Sequence, residues 1–179
     1  MSREVYVIIE IAKGSHIKYE YDKENNILVC DRILYTPFKY PFNYGFIPNT
    51  LSEDNDPLDA VVLMDDELIP GCRIKCKILG YLDTRDDAGK DPKIIVCPID
   101  KIDPTWNNIN DLFDEKIDEH TLGKIKYFFE HYKDLERKTV DVKEFYDSDN
   151  AMKVYKQSVE RFICNSYQKN KITNYFSEI

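Results

Sequence analysis

No stretch of this 179-residue chain approaches the run of about 18 apolar residues that crossing a bilayer requires. An excess of positive charge is also missing. Twenty-five lysines and arginines face 33 aspartates and glutamates, for a net charge of -8 and a pI near 5.0. That argues against a nucleic-acid partner, whose phosphates select a basic face. It leaves phosphate substrates open, because divalent cations can stand between carboxylates and phosphate oxygens. There is no C-x-x-C pair. The five cysteines, Cys30, Cys72, Cys76, Cys97 and Cys164, are odd in number and read as separate thiols in a reducing compartment. Met1-Ser2-Arg3-Glu4 runs straight into a strand-like pattern without a signal peptide, so a cytoplasmic location is expected. Repeats, linkers and low-complexity stretches are absent as well. What is present is 42% hydrophobic residues with 13 tyrosines and nine phenylalanines, enough for one domain with a core of its own. Residues 1–179 are read as that single domain, with a tail of unassigned role over 165–179.

The first part of the chain has the period of strands. Val5, Val7, Ile9 and Ile11 alternate with Tyr6, Ile8 and Glu10, and Ile17, Tyr19 and Tyr21 alternate with Lys18, Glu20 and Asp22. Asp22 to Asn26 reads as a hairpin turn, and Ile27 to Ile33 as the returning strand. Thr36 to Thr50 carries Pro37, Pro41 and Pro48, which limit regular structure. Ala60 to Met64, Arg73 to Leu82 and Lys93 to Pro98 are further short strands, a spacing that fits a small barrel or a sandwich. A helical stripe follows: Leu122, Ile125, Phe128, Phe129 and Tyr132. Val140 to Tyr146 is read as one more strand. Beyond the cap-like Asp147-Ser148-Asp149, the residues Met152, Tyr155, Val159, Phe162 and Ile163 form a second stripe. The class is mainly β with helices, α+β.

Chemistry concentrates in Asp54-Asn55-Asp56-Pro57-Leu58-Asp59. A regular strand would point Asp54 and Asp56 one way and Asp59 the other. Pro57 argues against an uninterrupted inner strand, and a loop can turn all three to one point. Converging carboxylates repel unless cations neutralise them, and hard oxygen ligands suit Mg²⁺, Mn²⁺ or Ca²⁺. An EF-hand fits poorly, since Asp59 and Asp65 stand where its glycine and final glutamate belong. A second acidic loop offers Asp86, Asp87 and Asp91, with Lys93 close by. Glu10 and Glu20 lie on predicted strands. Lys18, Arg32, Lys93 and Lys133 can meet phosphate oxygens, and Tyr40, Tyr44 and Tyr132 can donate hydrogen bonds. Each acidic loop alone also reads as a solvated turn; together they point to a site for several metals. His16, His120 and His131 are too scattered for a metal motif.

Taken in order, these residues resemble the soluble family I inorganic pyrophosphatases. The aspartate segment fits the family's Asp-x-Asp-Pro-x-Asp signature. Ile9-Glu10-Ile11, Ile17-Lys18-Tyr19-Glu20, Asp31-Arg32, Tyr40 to Ile47, Asp86 to Lys93 and Phe128 to Glu136 match in turn. The resemblance implies a five-stranded, OB-like β-barrel with flanking α-helices, and hydrolysis of pyrophosphate to two phosphates by several Mg²⁺ ions, with Mn²⁺ as an alternative. It implies metal ligation by Asp54, Asp59, Asp86 and Asp91, with Glu20 and Glu10 in support. Asp56 would take the proton from the attacking water. Lys18, Arg32, Tyr44, Lys93, Tyr132 and Lys133 would bind the phosphates, and Tyr40 would line the site. A homohexamer is expected, although Tyr127 stands where bacterial members often carry a histidine. Asp87 replaces a frequent glutamate and Thr139 a frequent tryptophan. The competing readings are a metal-dependent phosphohydrolase for another substrate, a single-strand-binding OB module and a calcium-binding structural domain. Neither nucleic acid nor membrane is expected as a partner.

Overall fold

The computed structural model describes residues 3–86, 89–136 and 138–177, with side chains as far as residue 168. Among the described residues, nine strands and two α-helices follow one another. β1 is Glu4–Ile11, and its alternating burial follows the predicted period, with Val5, Val7, Ile9 and Ile11 inside. β2 (Ile17–Asp22) and β3 (Ile27–Ile33) form a separate two-stranded hairpin. Asn26 turns that hairpin at φ 54°, a left-handed conformation that asparagine tolerates.

The proline-rich connection contains a strand that the sequence did not announce. β4 (Asn43–Phe46) is buried throughout and pairs antiparallel with β1 and β5 (Asp59–Val62). The prolines flank it rather than interrupt it. β6 (Arg73–Asp86) runs four residues past the predicted Leu82 because β9 (Asp141–Tyr146) pairs with it beyond Leu82, where the pairing with β8 (Lys93–Pro98) ends. β7 is the short Gly89–Lys90. The strand path runs β1-β4-β5-β8-β6, and β1 also pairs with β6, which closes a ring of five strands. Closure removes the free edges that would otherwise invite aggregation.

Both faces of β5 and β8 are covered, so their sequences read as continuous apolar runs instead of alternating ones. Ala60, Val62, Ile94 and Val96 join Val5, Val7, Ile9 and Ile78 in one core. Val61 and Ile95 join Leu79 and Leu82 in a second, packed under α1 (Glu119–His131) through Ile125, Phe128 and Phe129. These are residues of the predicted helical stripe. α2 spans Ser148–Ser177 and continues through the stretch from residue 165 that had no assignment. Asp147 caps its start by accepting from the Asn150 backbone N–H at 2.9 Å. No helix among the described residues is long and apolar enough to cross a membrane.

Gly45 holds β4 against β1. A methyl group there would lie 1.9 Å from the Ile8 carbonyl oxygen, and backbone cannot give way as a side chain can. Gly45→Ala is expected to lower stability by about 1–3 kcal/mol or more, read by thermal melting. An unchanged melting temperature would show that the two strands can part.

Candidate active site

The strand register decides which groups meet. β5 and β8 run parallel with Asp59 opposite Lys93, and neighbours in register share a face. The Lys93 Nζ therefore sits 2.6 Å from Asp59 and 2.5 Å from Asp91. Its side chain is 4% exposed. Tyr44, arriving on β4 next to β5, donates its hydroxyl to Asp59 at 2.5 Å. The Asp91 backbone N–H donates to the Thr84 carbonyl at 2.9 Å, which ties the second acidic loop to β6.

Asp54 and Asp56 reach the same place through turn chemistry. Asp54 accepts from the Asp56 backbone N–H at 2.9 Å, and the Ser52 N–H closes the turn on the Asp56 carbonyl at 2.6 Å. Asn55 adopts φ 73° between them, the left-handed region where asparagine is at home. The strand alternation that would have separated Asp54 and Asp56 from Asp59 does not apply, because regular β5 begins only at Asp59. α2 braces this loop. The Leu51 N–H donates to the Ser158 carbonyl at 3.0 Å, and the Leu51 carbonyl accepts from Arg161 Nε at 2.9 Å. Arg161→Met is expected to lower stability by about 1 kcal/mol, measured by denaturant titration. No change would mean that Leu51 is held without it.

These segments enclose a cavity of about 220 Å³. Glu10, Lys18, Glu20, Tyr44, Asp54, Asp56, Asp59, Asp86, Asp91, Lys93, Tyr132 and Lys133 all line it. Two residues of the expected set stand apart. Tyr40 is buried behind the wall, with its ring 5.4 Å from that of Tyr44, and does not line the cavity. Arg32 lies across the hairpin from Lys18, held by Asp31 and Glu136, and does not line the cavity either. Asp87 falls outside the described residues. The expected alternation of β2 also fails here: Tyr19 and Tyr21 line the cavity beside Lys18 and Glu20. The register between β2 and β3 shifts at Lys18/Tyr19, so the faces are no longer cleanly separated.

In the sequence Lys23 reads only as a turn residue. Its Nζ is 3.3 Å from Asp56 across the mouth of the cavity. Nothing in the local sequence distinguishes it from any hairpin lysine. Phe46 was likewise missed as a lining residue.

The electrostatics are those of crowded acids. Burial pushes the Glu10 carboxyl up to about 7, although the Tyr21 N–H donating at 2.7 Å pulls the other way. Asp91 is raised by burial and by the charges of Asp59 and Asp54, against the pull of Lys93. Asp54 is raised by burial, then by Asp56 and Asp59. Lys93 loses hydration on burial, yet Asp59 and Asp91 hold it above the ordinary lysine value, so it remains an ammonium. Lys133 is lowered by burial and by the neighbouring Lys93 and Lys18. Burial pushes the Tyr44 and Tyr132 phenols up, and both stay neutral donors. Among the described residues no three carboxylates stand at the mutual spacing one ion would need. The Lys93 ammonium lies between Asp59 and Asp91 instead. The donor set itself is hard oxygen, which fits Mg²⁺ or Mn²⁺ better than softer metals.

Fold and site together define a closed five-stranded barrel whose mouth gathers acids and cations from five separate segments around a space for a small anion. Residues 7–163 match the family model described as inorganic pyrophosphatase. The chain is 49% identical over 157 residues to an inorganic pyrophosphatase of Helicobacter pylori, covering 87% of this chain and 90% of that protein. It is 50% identical over 160 residues to one from Nanoarchaeum equitans, covering 89% and 98%. A solved structure of the Helicobacter pylori inorganic pyrophosphatase superposes with a TM-score of 0.85 over 89% of this chain and 93% of that one, at 48% identity. The chain belongs to the inorganic pyrophosphatase family.

Proposed function

We propose that this protein hydrolyses inorganic pyrophosphate to two phosphates with Mg²⁺ held by its aspartates, Mn²⁺ serving as a substitute. The observation that carries the reading is the convergence of Asp54, Asp56, Asp59, Asp86 and Asp91 on one cavity that also holds Lys18, Lys93 and Lys133. Drawn closer than they stand around the Lys93 ammonium, Asp54, Asp59 and Asp91 would hold one ion, with Asp59 shared by a second. Asp86 and Asp91 would take an ion that enters with substrate, and Glu20 and Glu10 would support a further ion or its waters. Bound there, the cations would supply charge neutralisation and a water of lowered pKa.

The chain's own groups have separate tasks. The Asp56 side chain is 76% exposed, against 25% for Asp59, and would accept a proton on its carboxylate oxygen. Lys18 and Lys133 would bind and orient the phosphate oxygens, with Arg32 joining them from the strand opposite Lys18. Charge that develops on the leaving phosphate meets cations already in place, so little reorganisation is needed. Tyr44 and Tyr132, neutral and buried, would donate hydrogen bonds, and Tyr40 would support Tyr44 from behind. We further propose that the whole chain works as one unit in the cytoplasm, assembled as a homohexamer, with no nucleic-acid or membrane partner.

Phosphate release from pyrophosphate, triphosphate, nucleotides and simple esters, each with Mg²⁺, tests the reading. Pyrophosphate is expected to be the preferred substrate by a wide margin. Preference for any other compound would overturn the assignment.

A further inference from the structure

We propose that Glu136 is a positioning residue that sets the guanidinium of Arg32 for substrate. The inference rests on the functional reading above and adds to it a residue to which no role has been given.

Glu136 ends a 3-10 turn, Asp134–Glu136, that follows Tyr132 and Lys133 directly. Its carboxylate accepts from Arg32 Nε at 3.0 Å and is 5% exposed, against 19% for Arg32. An ionised carboxylate so deeply buried is strongly unfavourable unless paired, so the pair is held closely. The geometry of the fork matters more. Glu136 takes the Nε edge of the guanidinium and Asp31 takes Nη1. A guanidinium has five N–H donors in a fixed plane, and fixing two of its nitrogens fixes where the remaining donors point.

The same contact joins two walls. Arg32 lies on β3 opposite Lys18 of β2, and Lys18 in turn lies 3.5 Å from Asp31 and bonds Glu20. Glu136 lies on the segment that carries Tyr132 and Lys133. The hairpin is a two-stranded sheet of its own, so it needs such a tie to keep a fixed distance from α1. Thr36 makes a second link, donating to the Tyr132 carbonyl at 3.3 Å, but of these two links it is Glu136 that meets a proposed phosphate-binding group by its charge.

A double-mutant cycle with Glu136→Gln, Arg32→Met and both together tests this, with kcat and KM for pyrophosphate measured beside thermal melting. Affinity for imidodiphosphate, the non-hydrolysable P–N–P analogue, gives a readout that does not depend on turnover. Glutamine keeps the shape and one acceptor but loses the charge. In the otherwise unchanged protein, Glu136→Gln is expected to lower kcat/KM about tenfold, the scale at which supporting partners act. In the Arg32→Met background the same change should lower it less than twofold, and analogue affinity should follow the same pattern. Glu136→Asp should recover part of the loss. Equal losses in both backgrounds would overturn the proposal, as would full activity in Arg32→Met, which would leave nothing to position. A chain that folds but shows no pyrophosphate turnover before any substitution would instead sink the functional reading.

Discussion

Asp56→Asn is expected to lower pyrophosphate turnover by about 10²-fold or more, the usual scale for loss of a general base, with little change in fold. Asparagine keeps the size of the side chain and removes its basicity. The fold should tolerate it because the Asp56 side chain is 76% exposed and its one ion pair, to Lys23 at 3.3 Å, also lies at the surface. Exposed pairs of that kind contribute little, roughly 0–1 kcal/mol. The turn itself is held by backbone groups and by the Asp54 side chain, and both survive the change. Steady-state turnover, with circular dichroism as the check on folding, reads the result. Unchanged turnover in a folded variant would remove Asp56 from the proton-accepting role.

Lys93→Met should act on stability as well as turnover. The ammonium is buried between Asp59 and Asp91, and taking away one partner of a buried ionic group leaves the other uncompensated. In chelator the loss is expected to be about 3–5 kcal/mol. Added Mg²⁺ should restore much of it, because a divalent cation supplies the positive charge that the methionine lacks. Turnover should remain down by about 10²-fold even with Mg²⁺, since the proposed electrostatic donor to the phosphates is gone. Melting curves with and without Mg²⁺ measure the first effect. Equal destabilisation under both conditions would show that Lys93 is a packing residue and that the acids around it do not gather cations.

Much of this arrangement was legible in the sequence, and for identifiable reasons. β1 could be read because one of its faces is buried and the other is not, which writes a period of two. α1 could be read because a single stripe, Ile125, Phe128 and Phe129, meets the barrel. β4 was invisible: four residues buried on both sides leave no alternation, and the surrounding prolines point to a loop. The extension of β6 beyond Leu82 was hidden as well, since it comes from pairing with β9, some sixty positions downstream.

The site divides the same way. The aspartates of the 54–59 segment stood out because three carboxylates fall within six residues just before an apolar run, although alone they also read as a solvated turn. That Asp59 would meet Lys93 depends on the parallel register of two strands far apart in the chain; the family resemblance placed both residues in one site but gave no register. Arg32 and Tyr40 show where carrying roles over by motif meets geometry. Both lie close to the cavity, yet one is turned toward Asp31 and Glu136 and the other is buried behind Tyr44. Lys23 and Glu136 went unremarked because a lysine in a turn and a glutamate after a helix are ordinary until the fold brings them against Asp56 and Arg32.

Crystals grown with Mn²⁺ and examined for anomalous scattering test the central claim most directly. Manganese is expected inside the cavity, bound between the carboxylates of Asp54, Asp59 and Asp91. Manganese found only on carboxylates elsewhere on the surface, with none at those three residues, would contradict it.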